Sequence, residues 1–177
     1  MRKIFNFDNF NESTIVESTK MNTYKNNISA CGCLLYKIEN GKINLLLIKY
    51  TDPKWPRLDD LGGQIDIKDN SIDEAINREM SEETNGILCF DKLRSLYKEN
   101  CKSFYNRKSK YYFYAICVDN NFQNDTKVFG NLETHENIAR TIGWYDYNSN
   151  KEMLAYRLFC CEDLINYFES IQNNSNI

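Results

Sequence analysis

Three carboxylates and one arginine stand together in Arg78-Glu79-Met80-Ser81-Glu82-Glu83. On a helix, at ~100° per residue, Glu79, Glu82 and Glu83 fall within an arc of ~100°. Glu83 also projects near the line of Ile72 and Ile76, the apolar face of the same stretch. Carboxylates crowded beside an apolar stripe repel one another and lose water, so they need a counter-charge. A hard divalent cation supplies it, because Mg²⁺ prefers carboxylate oxygens and tolerates partial hydration. Arg78 lies beside Glu82 on the helix surface. It reads as a fixed cation that orients a carboxylate, since Arg pairs bidentately and stays charged. Ahead of the helix, Gly63 has no Cβ, so its backbone can approach closely and its carbonyl can complete the coordination. The bland alternative is a charged surface helix. That alternative leaves the glycine pair, the helix cap, the Arg-Glu pair and the double Glu without a common reason.

The element that must carry these residues is legible around them. Leu61 to Ile87 reads as a glycine-marked loop followed by a short helix. Ser71 can cap the helix, and Glu74, three residues on, forms a capping box with it. Ile72, Ala75, Ile76, Glu79, Met80 and Glu83 then follow helical spacing.

The same residues resemble the Nudix box: Arg78 to Glu83 match its REUxEE core, and Gly62-Gly63 stand where the box opens. Two departures occur. Asp69 stands six residues after Gly63, where Glu is usual, and eight residues, Asn70 to Asn77, separate it from Arg78, one more than the family pattern. The Gly expected two residues after Glu83 is Asn85, with Gly86 next. Asn is the best non-Gly residue for a left-handed helix C-terminus, so that change is mild. The longer loop leaves Glu79, Glu82 and Glu83 in register. The resemblance implies that these glutamates hold Mg²⁺ or Mn²⁺, that Arg78 is mainly structural, and that the fold is an α/β/α sandwich. It spans roughly Ile28 to Trp144.

Along the chain, residues 1–27 are polar with scattered Phe5, Phe7 and Phe10, and read as a flexible N-terminal extension. Residues 28–171 read as one Nudix-like domain, and 172–177 as a flexible tail, with fraying expected from Ser170. Ile28 to Lys37 and Ile43 to Tyr50 read as strands, joined through a type I′ turn at Asn40-Gly41. A loop holding both prolines and Trp55 leads into the box. Ile87 to Tyr97 holds short apolar segments that can form strands. Tyr111 to Val118 is the most strand-like run and is expected to be central, because aromatic and β-branched residues fill both faces. Gly130 to Arg140 is a polar, acidic loop, and Thr141 to Asp146 a short strand. Leu154, Leu158, Cys161, Ile165 and Phe168 define one C-terminal amphipathic helix. The result is an α+β class, a mixed β-sheet packed between helices.

The 177 residues suit one domain with a real core, and 42% hydrophobic content is ordinary for a globular protein. A net charge of -3 argues against a strongly basic nucleic-acid binder. No apolar run approaches a membrane span, so no membrane partner is expected. With one histidine, His135, and seven cysteines without a CxxC, a zinc site is not expected. The absence of an apolar signal core and the buried-thiol pattern fit a reducing, cytoplasmic compartment.

Substrate contacts are more ambiguous. Trp55 either stacks on a base or seals the core edge. Tyr97 to Tyr112 mixes Phe104 and Tyr105 with Arg107, Lys108 and further lysines. Such interleaving can hold phosphates and stack bases; it also describes a charged hairpin tip beside strand aromatics. Candidate general bases are Glu79, Glu133 and Glu136, with His135 a proton shuttle or a surface residue. The expected activity is divalent-metal-dependent hydrolysis of a pyrophosphate bond in a nucleoside diphosphate linked to another moiety. The alternatives are mRNA 5′ cap hydrolysis on capped RNA, as in decapping members of the family, and a non-catalytic nucleotide-binding module on the same fold.

Overall fold

The turn at Asn40-Gly41 has the two positive φ angles that its sequence predicts, 52° and 73°. It folds β1 (Ala30–Glu39) back on β2 (Lys42–Tyr50), pairing Leu35 with Leu46 and Glu39 with Lys42. Beyond Leu35 the two strands part, and the chain fills the gap with its own next segment. β3 (Leu58–Asp59) pairs with β2, and β4 (Leu61–Gln64) pairs with β1, setting Gly62 opposite Gly32. This wedge carries the two box glycines into the middle of the sheet.

The computed structural model describes residues 27–54 and 56–174. The N-terminal extension up to residue 26 and Trp55 lie outside the described residues. β5 (Cys101–Asn106), β6 (Tyr111–Cys117), β7 (Leu132–Glu133) and β8 (Ile138–Asp146) complete an eight-stranded sheet of order β5-β6-β1-β2-β8-β7. β6 runs parallel to β1 and the other pairs are antiparallel, so the sheet is mixed. As the sequence predicts, β6 is an interior strand, buried on both faces over Tyr111 to Ile116.

Period-two alternation sorts the strands into two cores. Cys31, Cys33, Leu35, Leu46, Ile48, Tyr112, Tyr114 and Ile116 face α1 (Ile72–Glu83) and α2 (Phe90–Leu96). Leu34, Tyr36, Leu45, Leu47, Phe113 and Ala115 face the other way. That second layer contains α3 (Tyr147–Asn150), α4 (Tyr156–Phe159) and α5 (Glu162–Asn174). The molecule is therefore an α+β sandwich, a mixed sheet between helices. No helix among the described residues is long and apolar enough to cross a membrane.

Three local expectations are corrected. Ile87 to Tyr97 does not form strands; Phe90 and Leu93, three apart, are the buried residues of α2. The C-terminal amphipathic run is two helices, because the chain breaks at Cys160 and restarts at Glu162. The chain is still helical past Ser170, with α5 continuing to Asn174; residues 175–177 lie outside the described residues.

Candidate active site

α1 forms where its sequence predicts and is anchored at both ends. Ser71 is extended (φ -150°, ψ 163°), and its hydroxyl accepts the Glu74 N–H at 3.1 Å. The reciprocal half of the capping box is altered: the Glu74 carboxylate accepts from Asn70 N and Nδ2, each at 2.9 Å. Ile72, Ala75, Ile76 and Met80 are buried. The last turn of α1 holds no basic residue but carries Glu82 and Glu83. Acids at the negative end of a helix dipole are unfavourable by ~0.3–1 kcal/mol each when exposed. Helix stability alone does not explain them there.

Arg78 gathers the box. Its Nε and Nη2 donate to the two oxygens of Asp69 at 3.1 and 2.9 Å, and Nη2 also donates to the Gln64 carbonyl at 2.9 Å. Its Nη1 donates to Glu79 at 2.8 Å and Glu82 at 3.0 Å. The longer loop thus still brings Asp69 to Arg78, in a bidentate pair that holds the Asp69 carboxyl below its ordinary range. The sequence had given Asp69 no role.

Gly63 lies against Glu79 so closely that a Cβ there would stand 2.4 Å from Glu79 Oε2. Behind it, a buried network fixes the wedge. Arg157 on α4 donates through Nε to Asp59 (2.7 Å) and Asp60 (2.9 Å), and through Nη2 to the Gly62 carbonyl (2.9 Å). Tyr111 donates its hydroxyl to Asp60 at 2.8 Å and lies 4.4 Å below the guanidinium.

Glu83 is the most constrained carboxylate of the set. Tyr50 donates to its Oε1 at 3.2 Å, while Oε2 is buried with no hydrogen-bond partner. Burial pushes its carboxyl up to about 7, against the opposing effects of the Tyr50 hydrogen bond and the Arg140 charge. Burial likewise raises Glu79, despite its pairing with Arg78. Arg140 is fully buried and donates to the carbonyls of Glu83, Phe129 (3.0 Å) and Gly130 (3.1 Å).

These residues line one cleft of about 760 Å³. Gly63, Arg78, Glu79, Glu82 and Glu83 line it together with Glu133, His135 and Glu136 and the exposed Lys68. Glu133 is buried, and its two oxygens accept the backbone N–H groups of His135 (2.5 Å) and Glu136 (2.6 Å). His135 Nε2 lies 3.8 Å from Glu82 Oε1. Sequence reasoning thus brought together the box residues and the acidic loop.

It placed Asn85 at the left-handed helix end, as found, but missed that residue's side-chain contacts and missed Tyr50, Arg140 and Arg157, all of which act through contacts far along the chain. It also nominated residues that the fold places elsewhere. Phe104 is 5% exposed and stacks on Phe113 in the second core. Tyr105, Arg107 and Lys108 line a separate pocket with Cys160, Cys161, Glu162 and Asp163.

Among the described residues no group of three or more His, Cys, Asp or Glu side chains is already gathered to hold a metal ion, and Arg78 Nη1 pairs with both Glu79 and Glu82. The donor set nonetheless fits a hard divalent cation in type. It offers three carboxylates lining one cleft, one orphaned buried oxygen and a glycine backbone approached too closely for a side chain.

The split strand pair, the glycine wedge and the box helix thus stand together on one mixed sheet. No family model matches the chain, and no curated protein matches it in sequence. Several solved structures are similar to it. An Ap4A hydrolase binary complex from C. elegans shares 18% identity over 83% of this chain and 98% of that one, with a TM-score of 0.47. A NUDIX hydrolase from Listeria monocytogenes gives 15%, 83%, 96% and 0.48 for the same measures. The NUDIX domain of Shewanella oneidensis NrtR, complexed with ADP ribose, gives 15%, 93%, 97% and 0.46.

Proposed function

We propose that the chain is a divalent-metal-dependent hydrolase that cleaves a pyrophosphate bond in a nucleoside diphosphate linked to another moiety. One observation carries this reading: the box glutamates and Gly63 meet in one cleft, where the buried Oε2 of Glu83 has no protein partner. An unsatisfied buried carboxylate oxygen is costly, and a site that binds a cation is a reason for a fold to keep one. Glu79, Glu82 and Glu83, with the Gly63 carbonyl, would hold Mg²⁺ or Mn²⁺. When bound, the ion neutralises phosphate charge and acidifies water.

The chain's own residues do the rest. Arg78 fixes the carboxylates of Glu79 and Glu82 and ties them through Asp69 and the Gln64 carbonyl to the glycine loop. Lys68 lines the cleft and forms no ion pair among the described residues, whereas Arg78 is fully engaged. Lys68 is therefore the cation open to a substrate phosphate. In the acidic loop that lines the same cleft, Glu133 is occupied with backbone amides, which leaves Glu136 as that loop's accessible carboxylate to take a proton from the attacking water.

The basic-aromatic segment lies off this cleft, so nothing here favours capped RNA over a smaller nucleotide substrate. The complete acidic set favours an enzyme over a binding module. The test is a phosphate-release screen over nucleoside triphosphates, nucleotide sugars, dinucleoside polyphosphates, ADP-ribose and capped RNA, each with Mg²⁺ or Mn²⁺. Glu82→Gln and Glu83→Gln should each lower turnover by about a hundred-fold or more, with far-UV circular dichroism unchanged. Full activity in both variants would remove the site assignment.

A further inference from the structure

The box helix ends on a residue that costs more than the usual one. Asn85 occupies the left-handed region (φ 52°), where glycine adopts the same backbone without a Cβ penalty. What Asn provides and Gly cannot is a side-chain amide, and here every capacity of that amide is used. Its Nδ2 donates to the Phe129 carbonyl and the Leu132 carbonyl, both at 2.9 Å. Its Oδ1 accepts from Thr134 N at 3.1 Å and Thr134 Oγ1 at 3.0 Å. Two donors and two acceptor sites are the full inventory of a carboxamide.

All four bonds go to one short segment, 129–134, which is anchored at its start by the buried Phe129 side chain and by the Arg140 N–H on the Asn131 carbonyl (3.0 Å), and beyond that by one short strand. β7 is two residues long and pairs only Leu132 with Ala139 and Glu133 with Ile138. Directly after it, Glu133 closes a turn on the amides of His135 and Glu136, and these three residues line the same cleft as the box carboxylates. Arg140 adds a second tie, joining the Phe129 and Gly130 carbonyls to the carbonyl of Glu83.

We propose that Asn85 is a positioning residue: its carboxamide latches the 129–134 segment to the end of the box helix and so sets where Glu133, His135 and Glu136 stand over the cleft. The latch rests on these contacts alone. Its consequence for turnover rests on the hydrolase reading above.

Asn85→Gly separates the two roles of the residue, because it keeps the left-handed helix end and deletes the amide. Amide hydrogen exchange and steady-state kinetics are measured on the full chain. The expected result is a melting temperature within a few degrees of wild type, exchange at residues 132–136 faster by roughly tenfold or more, and a fall in kcat of about ten- to a hundred-fold with KM changed less than about twofold. Asn85→Asp, which keeps the acceptors and loses both donors, should move exchange and kcat in the same direction, and it decides the matter if the glycine variant does not fold. Wild-type exchange at Thr134 to Glu136 in these variants overturns the latch. Faster exchange with unchanged kcat overturns the positioning role. A wild-type chain that cleaves no phosphoanhydride removes the hydrolase reading and leaves exchange to judge the latch.

Discussion

At the scale of single residues, the site concentrates what a stable fold avoids. Glu83 is a half-buried carboxylate in the last turn of its helix, hydrogen-bonded by Tyr50, with one buried oxygen that finds no donor. Its carboxyl moves from 4.5 to about 7, with burial as the largest cause. The folded chain therefore binds this proton more tightly than the unfolded chain. The penalty is absent below about pH 4.5, grows as pH rises, and is complete above about pH 7. In the metal-free protein, Glu83→Gln should then raise stability at pH 8 by on the order of 1–3 kcal/mol. The gain should shrink toward zero near pH 4.5. Thermal melts in a chelator across that range measure it. A gain that does not vary with pH would show that the carboxylate is not what destabilises the fold. The same substitution that ends turnover should stabilise the chain, which is the signature of a residue kept for chemistry.

At the scale of elements, α1 was legible and α2 was not, and the reason is where each finds its cap. The cap of α1 is Ser71, its own preceding residue, and its apolar face repeats at 3.6 within one window. The preceding residue of α2 is Cys89, which makes no capping bond through its side chain. The Phe90 N–H is instead taken by Asn77 Oδ1 at 2.9 Å, from the middle of α1. A start signal thirteen residues away in another helix does not show in a local window. Asn77→Ala should therefore destabilise the chain by about 1 kcal/mol, as loss of an N-cap does. It should act on α2, raising hydrogen exchange there while leaving the exchange of α1 amides unchanged. Equal loosening of both helices would mean that Asn77 supports packing and not the cap. The site shows the same division. Arg78, Glu79, Glu82 and Glu83 lie within one and a half turns and declare themselves by spacing. Tyr50, Arg140 and Arg157 act on the box from 33, 57 and 95 residues away, through contacts that only the sheet topology creates. The basic-aromatic run misled for a related reason: period-two alternation sends Phe104 into the core and Tyr105 to the other face, so the segment is not one surface.

At the scale of the whole molecule, the two layers are joined through the sheet at the point where β1 and β2 part. α4 belongs to the layer opposite α1, yet its Arg157 reaches the wedge and binds Asp59, Asp60 and the Gly62 carbonyl, one residue before the box glycine that contacts Glu79. Asp60 is fully buried, and without the guanidinium its remaining side-chain donor is the Tyr111 hydroxyl. Removing one partner of a buried ion pair is far more damaging than replacing both, because it strands a charge: ~3–5 kcal/mol is typical. Arg157→Met should lower the free energy of unfolding by about that amount near neutral pH, as read from urea denaturation. Burial already raises Asp59, and losing the neighbouring cation raises it further, so a proton on Asp59 can replace the missing charge. The deficit of Arg157→Met should accordingly shrink as pH falls from 8 toward 5. Adding Asp60→Asn should recover part of it, so that the double variant is less destabilised than the two single effects sum to. Strict additivity, with a deficit independent of pH, would mean that Arg157 contributes by packing on Tyr111 alone. Coupling of the predicted sign would tie this cross-layer pair to the glycine wedge, and so to the backbone against which the box carboxylates are set.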